Sequence, residues 1–199
     1  IVLNALDAAG MMDDTLVFFT TDHGIAFPRA KVNLYDSGIG VSALARWPGR
    51  ISAGKRSDAL LSHTDWLPTI IDLTAGVQPE RIEGRSFLPL VLGKEYEEKE
   101  AVFAEGTYHG WQFDPVRCIR TKEFKLICNY DSAPARFQSI QLNPNNGIRA
   151  YDDYDESCSR PRPRYELYNL QQDPLEQVNL AEDESYAGTL DGLKEKLNA

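Results

Sequence analysis

The residues with the greatest chemical reach sit early in the chain. Asp22 and His23 are adjacent, follow the run Thr15-Leu16-Val17-Phe18-Phe19-Thr20-Thr21 and are followed at once by Gly24. A carboxylate and an imidazole side by side can ligate one metal ion if the backbone turns between them. Taken alone the tripeptide is not diagnostic, because a strand-to-loop turn with a capping Asp is common. Around the pair lie Arg29, Lys31, Arg46, Arg50, Lys55 and Arg56, which make the first third locally basic in a chain of formal charge -9. The overall charge argues against general nucleic-acid binding, which runs on basic surfaces. It leaves room for a basic pocket that takes a small anion, although most of these cations read as solvated surface. His63, in Ser62-His63-Thr64-Asp65 just before a helix, reads as structural. Cys118, Cys128 and Cys158 are widely spaced and form no CxxC, which speaks against a zinc knuckle or a redox pair. Cys118 and Cys128 lie in strand-like runs and are expected as buried small hydrophobes.

These residues need elements to place them. Thr15 to Thr20 is β-branched and aromatic with apolar side chains on both faces, the pattern of a strand in a buried parallel sheet. It ends in Thr21-Asp22-His23-Gly24, so the polar residues fall at the carboxyl end of a strand, where open α/β sheets place their sites. Upstream, Leu3 to Ala9 read as a helix stopped by Gly10. Downstream, residues 25–40 lack periodicity and read as a loop crossing the site. Val41 to Trp47 read as a strand. Asp65 is placed to cap a helix with Pro68 in its first turn and Gly76 at its end. Arg85 to Gly93 form a short packed segment and Lys94 to Glu100 a charged linker, with a boundary there.

Beyond the linker the pattern changes to strands without intervening helices. Ala101 to Ala104, Val116 to Thr121, Phe124 to Asn129 and Glu166 to Asn169 are the candidates, with Thr121-Lys122-Glu123 as a tight turn. Tyr186, Leu190, Leu193 and Leu197 recur at helical spacing in a closing helix from about Glu184 to Leu197. The polar stretch from Tyr130 to Arg164 reads as a long loop. At 199 residues, 42 % of them hydrophobic, the chain can bury a sizeable core. No apolar run approaches the roughly 20 residues that span a bilayer, and the start does not read as a signal peptide. It reads as a helix already under way, so a longer polypeptide beginning upstream is expected. The absence of an Asn-x-Ser/Thr sequon disfavours a lysosomal or secreted eukaryotic glycoprotein and favours a bacterial periplasmic or other extracytoplasmic location, with a cytoplasmic one left open.

Several segments taken in order resemble one known family. They are Leu16-Val17-Phe18-Phe19-Thr20-Thr21-Asp22-His23-Gly24, Lys31-Val32-Asn33-Leu34-Tyr35-Asp36-Ser37-Gly38, Ala45-Arg46-Trp47-Pro48-Gly49, Asp65 to Leu73 and Gly84 to Leu90. With the tail Glu166-Leu167-Tyr168-Asn169-Leu170 through Asp173-Pro174-Leu175-Glu176, the series resembles the second half of type I sulfatases of the alkaline-phosphatase superfamily. Phe27-Pro28-Arg29-Ala30-Lys31 and Thr107-Tyr108-His109 with Asp114-Pro115-Val116-Arg117 are most similar to the N-sulfoglucosamine sulfohydrolase branch.

The resemblance implies an α/β fold: residues 1–98 as the C-terminal part of an α/β/α sandwich and 99–199 as a small antiparallel sheet with a closing helix. It implies that Asp22 and His23 help bind Ca2+, although an imidazole departs from the oxygen preference of that ion. Lys31 matches the basic residue that contacts the sulfate group and would neutralise charge on the sulfuryl oxygens as the S–O or S–N bond breaks. His109 would lie near the substrate, where an imidazole can donate to a sugar hydroxyl or carboxylate. The partners implied are a sulfated small molecule or saccharide and an N-terminal half of the same protein. That half is expected to carry the formylglycine nucleophile, made from Cys or Ser in a Cys/Ser-x-Pro/Ala-x-Arg pentapeptide, and an early Asp-Asp metal pair. Cys158-Ser159-Arg160-Pro161-Arg162 has its proline in the wrong place for such a pentapeptide, and this chain alone is expected to be inert. Two alternatives stay open: a phosphodiesterase or phosphonate hydrolase of the same superfamily, and a non-catalytic binding module.

Overall fold

The computed structural model describes residues 1–25, 27, 29–109, 112–132 and 161–198. The expected long loop from Tyr130 to Arg164 therefore falls largely outside the described residues. The chain resolves into two compact units. One combines Ile1–Thr21 with Ser42–Glu100; the other combines Asp22–Val41 with the residues from Ala101 onward. The segment carrying Asp22, His23 and Lys31 thus groups with the C-terminal sheet and not with the strand that precedes it.

In the first unit, α1 (Val2–Ala8) ends before Gly10, whose φ of +66° allows the turn that closes the helix. Strand β1 (Val17–Thr20) pairs antiparallel with β2 (Ala43–Arg46), Val17 opposite Arg46 and Thr20 opposite Ala43. This corrects the expectation of parallel pairing. An apolar run records that a strand is to be covered; it carries no information on the direction of the neighbour. One face of β1 is covered, since Phe18 meets Trp66 edge-on at 5.0 Å and Phe87 at 6.0 Å, and these two rings meet each other at 5.0 Å. Phe19 and Leu44 are exposed.

Helix α3 (Trp66–Leu73) brings Trp66 to that cluster. Its entry is a single 3-10 turn, His63–Asp65, closed by a reciprocal capping box between Ser62 and Asp65. Asp65 was expected to cap α3 directly and makes no such bond. Its carboxylate is fully buried and is occupied elsewhere, accepting from the Ser62 and Arg85 amides at 2.8 Å each and from Lys99 Nζ at 2.6 Å. The helix ends at Leu73, and the left-handed residue that follows it is Ala75 at φ +52°, one before the expected Gly76. A final short helix, α4 (Leu88–Val91), starts with Pro89 in its first turn.

The second unit is a four-stranded antiparallel meander: β3 (Ala101–His109), β4 (Gln112–Thr121), β5 (Phe124–Asn129) and β6 (Tyr165–Asn169). Both of its faces are covered. On one, Ile119, Leu126 and Leu167 pack against Leu190 and Leu193 of α5 (Ala187–Asn198), with Tyr186 and Leu197 at the margin, the spacing expected from sequence. On the other, Val116, Cys118, Ile127 and Tyr168 receive Leu34 and Tyr35 from the segment 22–41. Residues 25–40, expected as a loop, are irregular up to Tyr35 where described, but close with one helical turn, α2 (Asp36–Ile39), and contribute core side chains.

Candidate functional site

Just past the end of β1 the side chains of Asp22 and His23 turn to the same side. His23 Nε2 lies 3.3 Å from Asp22 Oδ2, and His23 Nδ1 lies 2.7 Å from the Gly24 carbonyl oxygen. A carbonyl only accepts, so Nδ1 carries the proton in this contact, and Nε2 faces the carboxylate. A carboxylate and an imidazole nitrogen thus converge on one point. Asp22 is 85 % exposed and His23 39 %, leaving both open to a further ligand.

The turn is held by close backbone approach. The Gly24 amide donates to the Gly38 carbonyl at 2.8 Å, and a Cβ on Gly24 would meet the Ser37 carbonyl oxygen at 1.8 Å. Gly38 is equally confined: a Cβ there would sit 2.3 Å from the carbonyl oxygens of both Ala30 and Asn33. Only glycine permits this crossing of the two ends of the segment.

Between these ends runs the stretch that bears Lys31. Its amide donates to the Ile25 carbonyl at 3.0 Å, and Arg29, two residues before it, and Val32, one after, have φ of +58° and +68°. Positive φ at a β-branched residue is a true outlier that the surroundings must enforce. Lys31 is half-buried, and among the described residues no carboxylate forms an ion pair with its ammonium. His63, expected to be structural, lies with Nε2 3.1 Å from the Thr21 carbonyl oxygen. His109 is the last residue of β3, in register with Gln112; its side chain lies outside what the structure describes.

The fit to a hard cation is partial. Asp22 supplies an oxygen and His23 a nitrogen, while calcium takes six to eight oxygens. No group of three or more His, Cys, Asp or Glu side chains that could hold a metal occurs among the described residues. Any ion held here needs further ligands from elsewhere.

Sequence reasoning missed a buried charge cluster beneath this segment. Lys125 of β5 is fully buried, with Nζ 2.6 Å from Asp36 Oδ1, 2.8 Å from Glu176 Oε1 and 3.0 Å from the Leu34 carbonyl oxygen. Arg120 of β4 pairs with Asp36 Oδ2 at 3.0 Å. Glu176 Oε2 accepts from the Asp36 amide at 2.6 Å. Burial alone would raise the Asp36 pKa, but the bonds from Arg120 and the charge of Lys125 outweigh it and hold the carboxyl below its ordinary value. Burial pushes Glu176 up, against the opposing pull of Lys125. Beside the cluster, Tyr35 and Tyr168 donate to Glu166 Oε2 at 2.7 and 2.6 Å, and the Arg29 guanidinium lies 3.8 Å above the Tyr35 ring. A visible signal was available: a lysine inside Phe124-Lys125-Leu126-Ile127-Cys128 is out of place unless paired.

Cys118 and Cys128 are free and buried, as expected, and burial pushes the Cys118 thiol up to about 11, which keeps it an unreactive thiol. The chain also holds a pentapeptide of the kind expected only in the N-terminal half. Ser132-Ala133-Pro134-Ala135-Arg136 does fit the Cys/Ser-x-Pro/Ala-x-Arg pattern. Its place is after the last residues of β5, not in the first half of the family order, and residues 133–136 lie outside the described ones.

Comparison with known proteins agrees with this architecture. The family profile for N-sulphoglucosamine sulphohydrolase, C-terminal, matches residues 26–158. An ulvan-active sulfatase of Formosa agariphila is 35 % identical over 94 % of this chain and 36 % of its own length. Human N-sulphoglucosamine sulphohydrolase is 31 % identical over 99 % of the chain and 43 % of its own length. A protein solved in complex with its substrate D-glucosamine-2-N,6-O-disulfate superposes with a TM-score of 0.74 and 25 % identity, covering 99 % of this chain and 36 % of that one. The chain therefore spans less than half the length of the relatives it matches. With its order of motifs, its meander sheet and these relatives, the chain belongs to the N-sulphoglucosamine sulphohydrolase C-terminal family, the C-terminal portion of sulfatases of the alkaline-phosphatase superfamily.

Proposed function

We propose that this chain is the C-terminal portion of an enzyme that hydrolyses a sulfate ester or sulfamate on a saccharide, and that an N-terminal portion supplies the formylglycine and the remaining metal ligands. The observation that carries the reading is the convergence of Asp22 Oδ2 and His23 Nε2, 3.3 Å apart, on a turn locked by Gly24 and Gly38. Asp22 and His23 would hold a calcium ion with ligands from the N-terminal portion. Bound there, the ion would draw charge from the sulfuryl oxygens. Lys31, the next cation of the same segment without a carboxylate partner among the described residues, neutralises charge that builds on those oxygens as the bond to sulfur breaks. His109, at the end of β3, is assigned to the sugar. The relatives support the saccharide: one acts on ulvan by name, and one holds a disulfated glucosamine.

The test is release of inorganic sulfate from O-sulfated and N-sulfated glucosamine by the full-length protein, with and without calcium. Lys31→Ala is expected to lower kcat roughly 100- to 1,000-fold, the usual effect of losing one donor to a developing oxyanion. Ser132→Ala is expected to leave the rate unchanged, since the nucleophile is assigned to the N-terminal portion. Hydrolysis of a phosphonate monoester with no sulfate release would favour the phosphohydrolase alternative, and a rate abolished by Ser132→Ala would relocate the nucleophile to this chain.

A further inference from the structure

The buried charges of the C-terminal sheet are costly and the proposed chemistry does not use them. Lys125 is 0 % exposed and Glu176 2 %, and Glu176 itself stands at φ +56°. An apolar core of the same volume is generally as stable as a buried ion pair or more so. A charge cluster kept in such a place therefore needs another reason, and its contacts supply one, because each leads into the segment 22–41.

Lys125 Nζ binds the Leu34 carbonyl and the Asp36 carboxylate, and Glu176 binds the Asp36 amide. These bonds fix the backbone of residues 34–36 in one register. From there the constraint passes forward through short contacts. The Ser37 hydroxyl donates to the Arg29 carbonyl at 2.6 Å, Gly38 accepts from Gly24 at 2.8 Å, and the Asn33 amide donates to the Ala30 carbonyl at 2.9 Å. The Arg29 guanidinium closes the loop by donating to the Glu176 carbonyl. Lys31 and the Asp22–His23 turn hang from this frame, and the positive φ at Arg29 and Val32 shows that the frame over-determines the backbone on both sides of Lys31. An apolar pair would fill the same space without fixing a register, since dispersion contacts are not directional.

We propose that Lys125 and Glu176 are positioning residues: from the C-terminal sheet and the turn that follows it, they set the place of Lys31 and of the Asp22–His23 pair. The inference rests on the reading that Lys31 meets the sulfuryl group. It assigns the C-terminal sheet a part in the reaction beyond covering the fold.

The experiment uses the full-length enzyme and four variants: Lys31→Ala, Glu176→Gln, their combination, and Lys125→Met/Glu176→Leu. Misplacing a reacting group by about 1 Å costs on the order of 100-fold. Glu176→Gln is therefore expected to lower kcat by about 10- to 100-fold with KM changed less than about three-fold. In the Lys31→Ala background the same change is expected to lower kcat by a clearly smaller factor than in the parent, because part of its effect acts through Lys31 and only the rest through the Asp22–His23 pair. The apolar pair is expected to melt within a few degrees of the parent and still to lose kcat. Full additivity of Lys31→Ala and Glu176→Gln would overturn the proposal, as would an apolar pair with undiminished kcat. If Glu176→Gln does not fold, the apolar pair carries the same decision. A Lys31→Ala enzyme with unchanged kcat overturns the assignment of Lys31 itself, a result distinct from failure of the positioning idea.

Discussion

At the scale of single residues, the cation site proposed above rests on Asp22 and His23. Asp22 contributes the carboxylate of the pair, and the His23 ring is oriented by its Nδ1 contact with the Gly24 carbonyl. Asp22→Asn keeps the shape and removes that charge, so the calcium concentration for half-maximal sulfate release by the full-length enzyme is expected to rise at least roughly ten-fold. A titration that superposes on the parent would remove Asp22 from the metal site. At the same scale, Gly38→Ala places a Cβ 2.3 Å from two carbonyl oxygens. It is expected to cost about 3 kcal/mol of stability by forcing the backbone apart, read as a shift in the denaturation midpoint at unchanged slope. Asp22 and His23 were legible because they interrupt an apolar run. Glu176 was not, because a charge in a turn looks like surface until its partners are known, and Lys125 signalled only that it must be paired, not with what.

Among the elements, the meander and its helix carry the clearest apolar bookkeeping. Leu126 and Leu167 are fully buried between the sheet and α5, and Leu190 and Leu193 meet them from the helix. Leu126→Ala is expected to destabilise the protein by about 2–5 kcal/mol, as large-to-small changes in closed cores do, whereas Leu193→Met should cost less than about 1.5 kcal/mol. Urea denaturation of both variants checks the contrast. Strands β5 and β6 were readable to within about a residue and the closing helix to within three, its expected start at Glu184 being a 3-10 turn ahead of α5, since both the strand run and the helical spacing are local. β3 and β4 extend further than expected, to His109 and from Gln112. Cross-strand pairing continues through Glu105, Gly106 and Tyr108, although Glu105 and Gly106 are poor strand formers. Asp65 shows the same limit from the other side. Its position before an apolar helix suggested a cap, and contacts with Arg85 and Lys99, distant in sequence, claimed its carboxylate instead.

At the scale of the whole molecule, the charge cluster links acidity to stability. Asp36 has its folded pKa below the unfolded value, so its contribution is complete above the unfolded pKa near 4 and is lost as pH falls through the lower folded value. Stability should therefore decline below about pH 4, and Asp36→Asn should flatten that decline while lowering the plateau at neutral pH. Thermal denaturation of parent and variant across pH 2–7 measures both. An Asn variant that keeps the parent's acid slope would mean that the decline comes from other carboxylates.

The order of motifs, the apolar alternation and the helical spacing determined the family, the strand-bearing C-terminal half and the Asp22–His23 pair, because each is written in residues close together in the chain. Tertiary structure alone decided that β1 and β2 run antiparallel, that the segment after Thr21 folds onto the C-terminal sheet, and that Lys125, Glu176 and Asp36 meet inside it. The physical reason is range. Burial and periodicity are local properties of a sequence, whereas strand direction and charge pairing depend on which distant residues arrive at the same place, and Lys125 lies 89 positions from Asp36 in the chain.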